Sequence, residues 1–170
     1  MNIFLIGPMA AGKSHIAEAL AKCMKSHFYD TDELICRHAG MDIPTIFQNE
    51  GEAGFRKREA EVVQKLISNR NMVVATGGGV VLDKQNCKNM KDNGTVIYLS
   101  TSLDTRYERI QNPAERPLLM EGDIYETMQN LDRVRIPIYE ALADFIVDNN
   151  GITESAVKKI VECIHNTKQT

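Results

Sequence analysis

The chain has 170 residues, 20 Lys and Arg against 23 Asp and Glu for a net charge of −3, and 43% hydrophobic side chains. That supplies apolar material for one packed core and, at this length, argues one domain rather than two. Charged residues at 25% match an ordinary globular chain, and the slight acidic surplus excludes a general nucleic-acid binder, which needs a basic field.

In chain order, short apolar runs alternate with segments of helical period, the pattern of a parallel sheet wrapped by helices. Ile3-Phe4-Leu5-Ile6 is the first predicted strand, and Ile16, Ala17, Leu20, Ala21 and Met24 then recur as one face of a helix does. A weaker second strand ends at Phe28-Tyr29. The charged stretch 31–70 is too long for a simple crossover and is expected to hold more than one helix. Met72-Val73-Val74-Ala75, Val96-Ile97-Tyr98-Leu99 and Phe145-Ile146-Val147 are the third to fifth strands. Val157, Ile160, Val161 and Ile164 mark a last helix that Thr153 is placed to cap. No repeat or linker divides the chain, so one domain over 1–170 is expected. No run approaches 18 apolar residues and no cationic lead opens a secretion signal, so no membrane is expected and the expected compartment is the cytoplasm. Cys23, Cys36, Cys87 and Cys163 contain no C-x-x-C pair, and ordinary thiols are the plain expectation.

Three polar or glycine-rich clusters fall at the ends of the first three strands, where open parallel sheets bind ligands. Gly7-Pro8-Met9-Ala10-Ala11-Gly12-Lys13-Ser14 fits G-x-x-x-x-G-K-[ST] between a strand and a helix. Its glycines let backbone N–H groups turn inward around phosphates, and the helix N-terminus adds partial positive charge. Lys13 reaches the β- and γ-phosphates, and the Ser14 hydroxyl suits Mg²⁺. Two letters depart from the common pattern. Ala10 stands where many such loops have Gly, a steric cost if φ is positive there, and His15 follows Ser14 where Thr is common. No Asn-Lys-x-Asp guanine reader is present. The third strand runs into glycines rather than an acid, so the metal carboxylate must come from elsewhere, with Asp30 the candidate. These exclusions leave a small phosphotransferase.

The loop is joined by Asp30-Thr31-Asp32, Gly51-Glu52, Phe55-Arg56 with Glu59, Gly77-Gly78-Gly79, Arg116-Pro117-Leu118-Leu119 and Arg135 ahead of Pro137-x-Tyr139. In order and approximate spacing, over nearly the whole chain, this set resembles the shikimate kinases. The resemblance implies a three-layer α/β/α P-loop kinase fold, its five-stranded parallel sheet in the order 2-3-1-4-5, with a mobile lid. It implies ATP-dependent phosphorylation of the 3-hydroxyl of shikimate to shikimate 3-phosphate, a step toward chorismate and aromatic amino acids. The expected enzyme is a cytoplasmic monomer whose partners are shikimate and ATP. Carried over residue by residue, ATP falls to Gly7, Met9, Ala10, Ala11, Gly12, Lys13, Ser14, His15, Arg109 and Arg116, and Mg²⁺ to Ser14 and Asp30. Shikimate falls to Asp32, Phe47, Phe55, Arg56, Gly77, Gly78, Gly79 and Arg135. Catalysis is expected of Lys13, Asp32 and Arg116. Residues 31–60 form the expected shikimate-binding region and 111–123 the lid.

The same residues can be read physically. A planar carboxylate asks for guanidinium forks, which suits Arg56 and Arg135. A hydroxyl that must be deprotonated and aimed asks for a carboxylate, Asp32, as a base or an orienting group. If the segment continues as a strand, Asp30 and Asp32 point to one face. Gly79 would let a ring approach backbone N–H, and Glu59, one turn from Arg56, can hold that arginine. Pro113, Pro117 and Gly122 keep helix out of the lid, which would deliver Arg116 to the transferring phosphoryl group. Arg109 is expected to stack on adenine. Plainer uses stand beside each: Thr31 or Asp32 capping the next helix, three glycines as a turn, Phe47 and Phe55 as core, Arg106 and Arg109 as a solvated helix face. The alternative enzyme is another small-metabolite P-loop kinase such as a gluconate kinase, which would not need Asp-Thr-Asp paired with the triple glycine. The non-enzymatic alternative is a nucleotide-sensing module, against which Lys13, Asp32 and Arg116 together count.

Overall fold

Runs of branched apolar residues without polar alternation are stable only when covered on both faces. Those of the three central strands are so covered in this protein, whose computed structural model describes residues 1–110, 112–120 and 122–167, while in the fifth run Ile146 is exposed. Strands β1 (Asn2–Ile6), β2 (His27–Asp30), β3 (Met72–Ala75), β4 (Thr95–Ser100) and β5 (Phe145–Asp148) form one sheet in the order β2-β3-β1-β4-β5. Every neighbouring pair is parallel. The helices are α1 (Lys13–Met24), α2 (Thr31–Ala39), α3 (Ile43–Leu66), α4 (Lys84–Asn93), α5 (Leu103–Arg109), α6 (Ile124–Leu142) and α7 (Thr153–Thr167). Alternation along β1 sends Ile3 and Leu5 into a layer with α1 and α7, and Phe4 and Ile6 into one with α2, α3, α4 and α6. A one-residue register slip would exchange the two cores, so the pairing is strongly specified. From β1 the chain moves out to β2, and from β3 it crosses over to β4. The crevice beyond β1 and β3 is therefore the point where the direction of winding reverses, the usual ligand site of such sheets.

The structure corrects three local expectations. The second strand runs on to Asp30 and turns at once into α2, so Asp30-Thr31-Asp32 does not continue as a strand. The cap of α2 is Asp30, not Thr31 or Asp32; its carboxylate accepts from the N–H groups of Asp32 and Glu33. Thr153 is the first residue of α7 rather than its cap. The charged stretch does hold two helices, and the second is broken at Gly51 (φ 69°, ψ −178°). A straight helix, rising 1.5 Å per residue, would set Phe47 and Phe55 about 12 Å apart along its axis. The corner instead brings their ring centroids to 5.0 Å. Of the expected lid, residues 112–120 contain two single 3-10 turns, Pro113–Glu115 and Pro117–Leu119, and α6 begins only at Ile124. Gln111 and Glu121 lie outside the described residues. The four cysteines form no disulfide, and among the described residues no helix is long and apolar enough to cross a membrane.

Candidate active site

The phosphate loop leaves β1 and enters α1 through Gly12, at φ 89°, where a Cβ would lie 2.7 Å from Asn149 Nδ2. Both facts demand glycine. Asn149, just past β5, supports the loop from beneath by donating Nδ2 to Ala11 O at 2.7 Å. Ala10 takes φ 60°, the left-handed conformation that its side chain disfavours. Lys13 is buried and donates Nζ to Gly7 O at 2.8 Å and Pro8 O at 2.7 Å. Burial lowers its pKa to about 8, against the pull of Asp32 and Asp30.

Met9, Ala10, Gly12, Lys13, Ser14, His15, Arg109 and Arg116 line one cleft with Asp30 and Asp32. Gly7 and Ala11 sit behind that lining, with Ala11 fully buried. Arg109 donates to Asn149 O at 3.0 Å. Arg106 is 1% exposed, donates Nε to Thr101 O at 3.0 Å and pairs with Asp132 of α6. The reading of Arg106 and Arg109 as a solvated face is thus overturned, because both guanidiniums spend their donors inward.

Ser14 Oγ donates to Asp30 Oδ2, while Asp30 Oδ1 accepts from Asp32 N at 2.9 Å. One carboxylate thereby serves as helix cap and as partner of the loop hydroxyl. The hydroxyl–carboxylate pair is the hard-oxygen set Mg²⁺ takes, and Mg²⁺ usually adds phosphate oxygens and water to one or two such groups. Among the described residues no cluster of three His, Cys, Asp or Glu could hold a metal without nucleotide.

A second pocket of about 510 Å³, counting its open mouth, adjoins the first and shares Met9, Asp32, Gly77, Gly78 and Arg116 with it. Phe47, Phe55, Arg56, Gly79 and Arg135 complete the expected set there. Arg56 Nη1 pairs with Glu59 Oε2 at 2.8 Å and Nη2 with Glu52 Oε1 at 3.2 Å. A Cβ at Gly79 would fall 2.2 Å from that guanidinium, so the glycine makes room for Arg56. Arg135 is 5% exposed, and no group among the described residues accepts a hydrogen bond from its guanidinium. Asp32 Oδ1 and Glu59 Oε1 are buried without partners, 2.9 and 2.7 Å from where a Cβ of Gly77 would stand. Burial raises both carboxyl pKa values; Asp30 adds to the rise at Asp32, while Lys13, Arg116 and Arg56 oppose it.

Arg135, its guanidinium donors unused, and Arg56, aimed by Glu52 and Glu59, thus line one pocket with an unpartnered carboxylate oxygen, beside a loop shaped for phosphates. Sequence reasoning did not find Ile43 and Glu115 in the pocket wall, nor Asn149 beneath the loop. Ile43 carried no signal, whereas Asp148-Asn149-Asn150-Gly151 is a polar cluster at a strand end of the kind that marked the other loops.

Fold, phosphate loop and adjoining acceptor pocket together define a P-loop kinase of small metabolites. The sequence profile described as shikimate kinase matches residues 9–165. The shikimate kinase of Legionella pneumophila (strain Corby) is 49% identical over 156 residues, covering 92% of this chain and 89% of that protein. The shikimate kinase of Coxiella burnetii (strain CbuK_Q154) is 42% identical over 172 residues, covering 99% and 94%. The solved shikimate kinase of Acinetobacter baumannii, in complex with shikimate, superposes with a TM-score of 0.96 at 36% identity, covering 99% of this chain and 95% of that one. This chain belongs to the shikimate kinase family. A gluconokinase from Sinorhizobium meliloti, at 14% identity and a TM-score of 0.59, shares the fold alone.

Proposed function

We propose that this chain transfers the γ-phosphoryl group of ATP to the 3-hydroxyl of shikimate, giving shikimate 3-phosphate and ADP. One observation carries the acceptor's identity: Arg135, buried with its donors unspent, lines the same pocket as Asp32, one of whose oxygens is buried and unpartnered. Such a pocket is satisfied by a small molecule with a carboxylate at one end and a hydroxyl at the other.

In this reading Arg56 and Arg135 take the carboxylate, and Phe47 and Phe55 close on the ring. Asp32 holds the reacting hydroxyl, and its raised pKa fits a group that receives the proton as the O–P bond forms. Lys13 exchanges its bonds to Gly7 O and Pro8 O for the phosphate oxygens, whose charge keeps it protonated. Mg²⁺, held through Ser14 and Asp30, would neutralise phosphate charge when bound. Arg116 borders both clefts and stabilises charge on the transferring group, with residues 111–123 acting as lid to exclude water. Arg109 covers the base side of the nucleotide. The reading makes 1–170 one domain, with residues 31–60 contributing the acceptor side, and places a monomeric enzyme in the cytoplasm. The test is ADP release with ATP and Mg²⁺, alone, with shikimate and with gluconate. Release should depend on shikimate; release with gluconate alone would reject the proposal.

A further inference from the structure

We infer that Tyr139 is a positioning residue for the acceptor site, its hydroxyl fixing the glycine loop at the point where acceptor pocket and phosphate loop touch. Tyr139 is fully buried, its hydroxyl donates to Gly78 O, and its ring stacks on Tyr98 at 5.2 Å. Among the described residues no other member of α6 reaches that loop by a hydrogen bond, although Arg135, one helical turn earlier, lines the same pocket. Gly78 leaves little room for a side chain between itself and the phosphate loop: a Cβ there would stand 3.3 Å from Met9 N and 3.5 Å from Gly7 O, so the two loops meet backbone to backbone. Burial pushes the Tyr139 hydroxyl above its usual pKa, which keeps it a donor at every working pH.

A glycine loop has no side chain with which to anchor itself. Its first residue is tied by Gly77 N–H, which donates to Thr31 Oγ1 at 2.9 Å, and the Gly77 and Gly79 carbonyls accept from the N–H groups of Val80 and Leu82. The Tyr139 bond is the tie on the carbonyl of the middle residue. The phosphate loop is held separately by Asn149 and Lys13. Loosening Gly78 should therefore move the acceptor relative to a phosphate loop that stays in place.

The inference rests on the proposed shikimate kinase activity, so wild-type turnover is read first; its absence would sink that activity and not the role of Tyr139. In Tyr139→Phe the ring and its stack remain while the donor is lost. The shikimate KM should rise and kcat fall, together lowering kcat/KM for shikimate about three- to tenfold, the worth of one neutral hydrogen bond. ATP affinity, titrated without acceptor, should stay within about twofold because its anchors are untouched. Tyr98→Phe, which leaves the Gly78 bond in place, should change neither. Unchanged shikimate kinetics, equal losses of ATP and shikimate affinity, or a Tyr139→Phe chain that fails to melt cooperatively would each overturn the inference.

Discussion

Gly79→Ala places one methyl where the Arg56 guanidinium now lies, 2.2 Å from Nη2 and 2.4 Å from Cζ. The backbone offers no objection, since Gly79 at φ −96°, ψ 0° is in a region open to alanine. What yields is the far end of a flexible side chain, but its departure leaves Glu59 buried without a partner, so folding should lose about 1–3 kcal/mol, partly offset by alanine's lower unfolded entropy. Acceptor binding should suffer as well. Arg56 can swing aside only by leaving the Glu59 and Glu52 carboxylates that aim it. A charge-assisted hydrogen bond is worth about 1.5–3 kcal/mol, so the shikimate KM should rise roughly 10- to 150-fold. ATP affinity should hold, because Gly79 lines only the acceptor pocket. The assay is coupled ADP release across shikimate concentrations, with a thermal melt on the same preparation. A shikimate KM within twofold of wild type, with the melt unchanged, would refute the placement of Arg56 on the acceptor.

Arg116→Ala should leave binding of each substrate alone largely intact, by calorimetry, and cut turnover about tenfold or more; an unchanged rate would remove it from the mechanism. Ala10→Gly relieves a φ of 60° costing about 1–2 kcal/mol, offset by glycine's unfolded freedom, so the melting temperature should rise about 1–3 °C. A fall would mean that the loop carries no strain. Lys13 titrates near 8 in the folded protein against 10.5 for a solvated lysine. Between those values the unfolded chain holds the extra proton, so this group makes stability rise with pH across that window, in buffer without nucleotide. Lys13→Met should abolish turnover and remove that slope; urea unfolding at pH 8 and pH 10 compares the two proteins, and equal slopes would refute the burial argument.

The sheet and most of the site were legible because both are written locally. Two-sided burial leaves uninterrupted apolar runs such as Met72–Ala75, and phosphate loops leave glycine, lysine and serine at fixed spacing. The switch from strand to helix at Asp30 was not, because an aspartate that caps and one that ends a strand look alike until its carboxylate finds the N–H of Asp32. Long-range partners left no trace either. Asn149 holds Ala11 from 138 residues away, and Arg106 meets Asp132 from 26. Nothing in an Arg-x-x-Arg spacing says that the first arginine is buried. Gly79 was expected to admit a ring to the backbone, whereas the space it frees holds Arg56, which only three-dimensional proximity could reveal.

The corner at Gly51 bears on how this pocket could change its guest. Its span is governed by a main-chain torsion, since Phe47 and Phe55 belong to opposite limbs of α3. Trading bulk at either ring adjusts the fit by the width of a few atoms. Shifting the bend by a single position would rotate the upstream limb by about 100°, carrying Ile43 and Phe47 off the opening together.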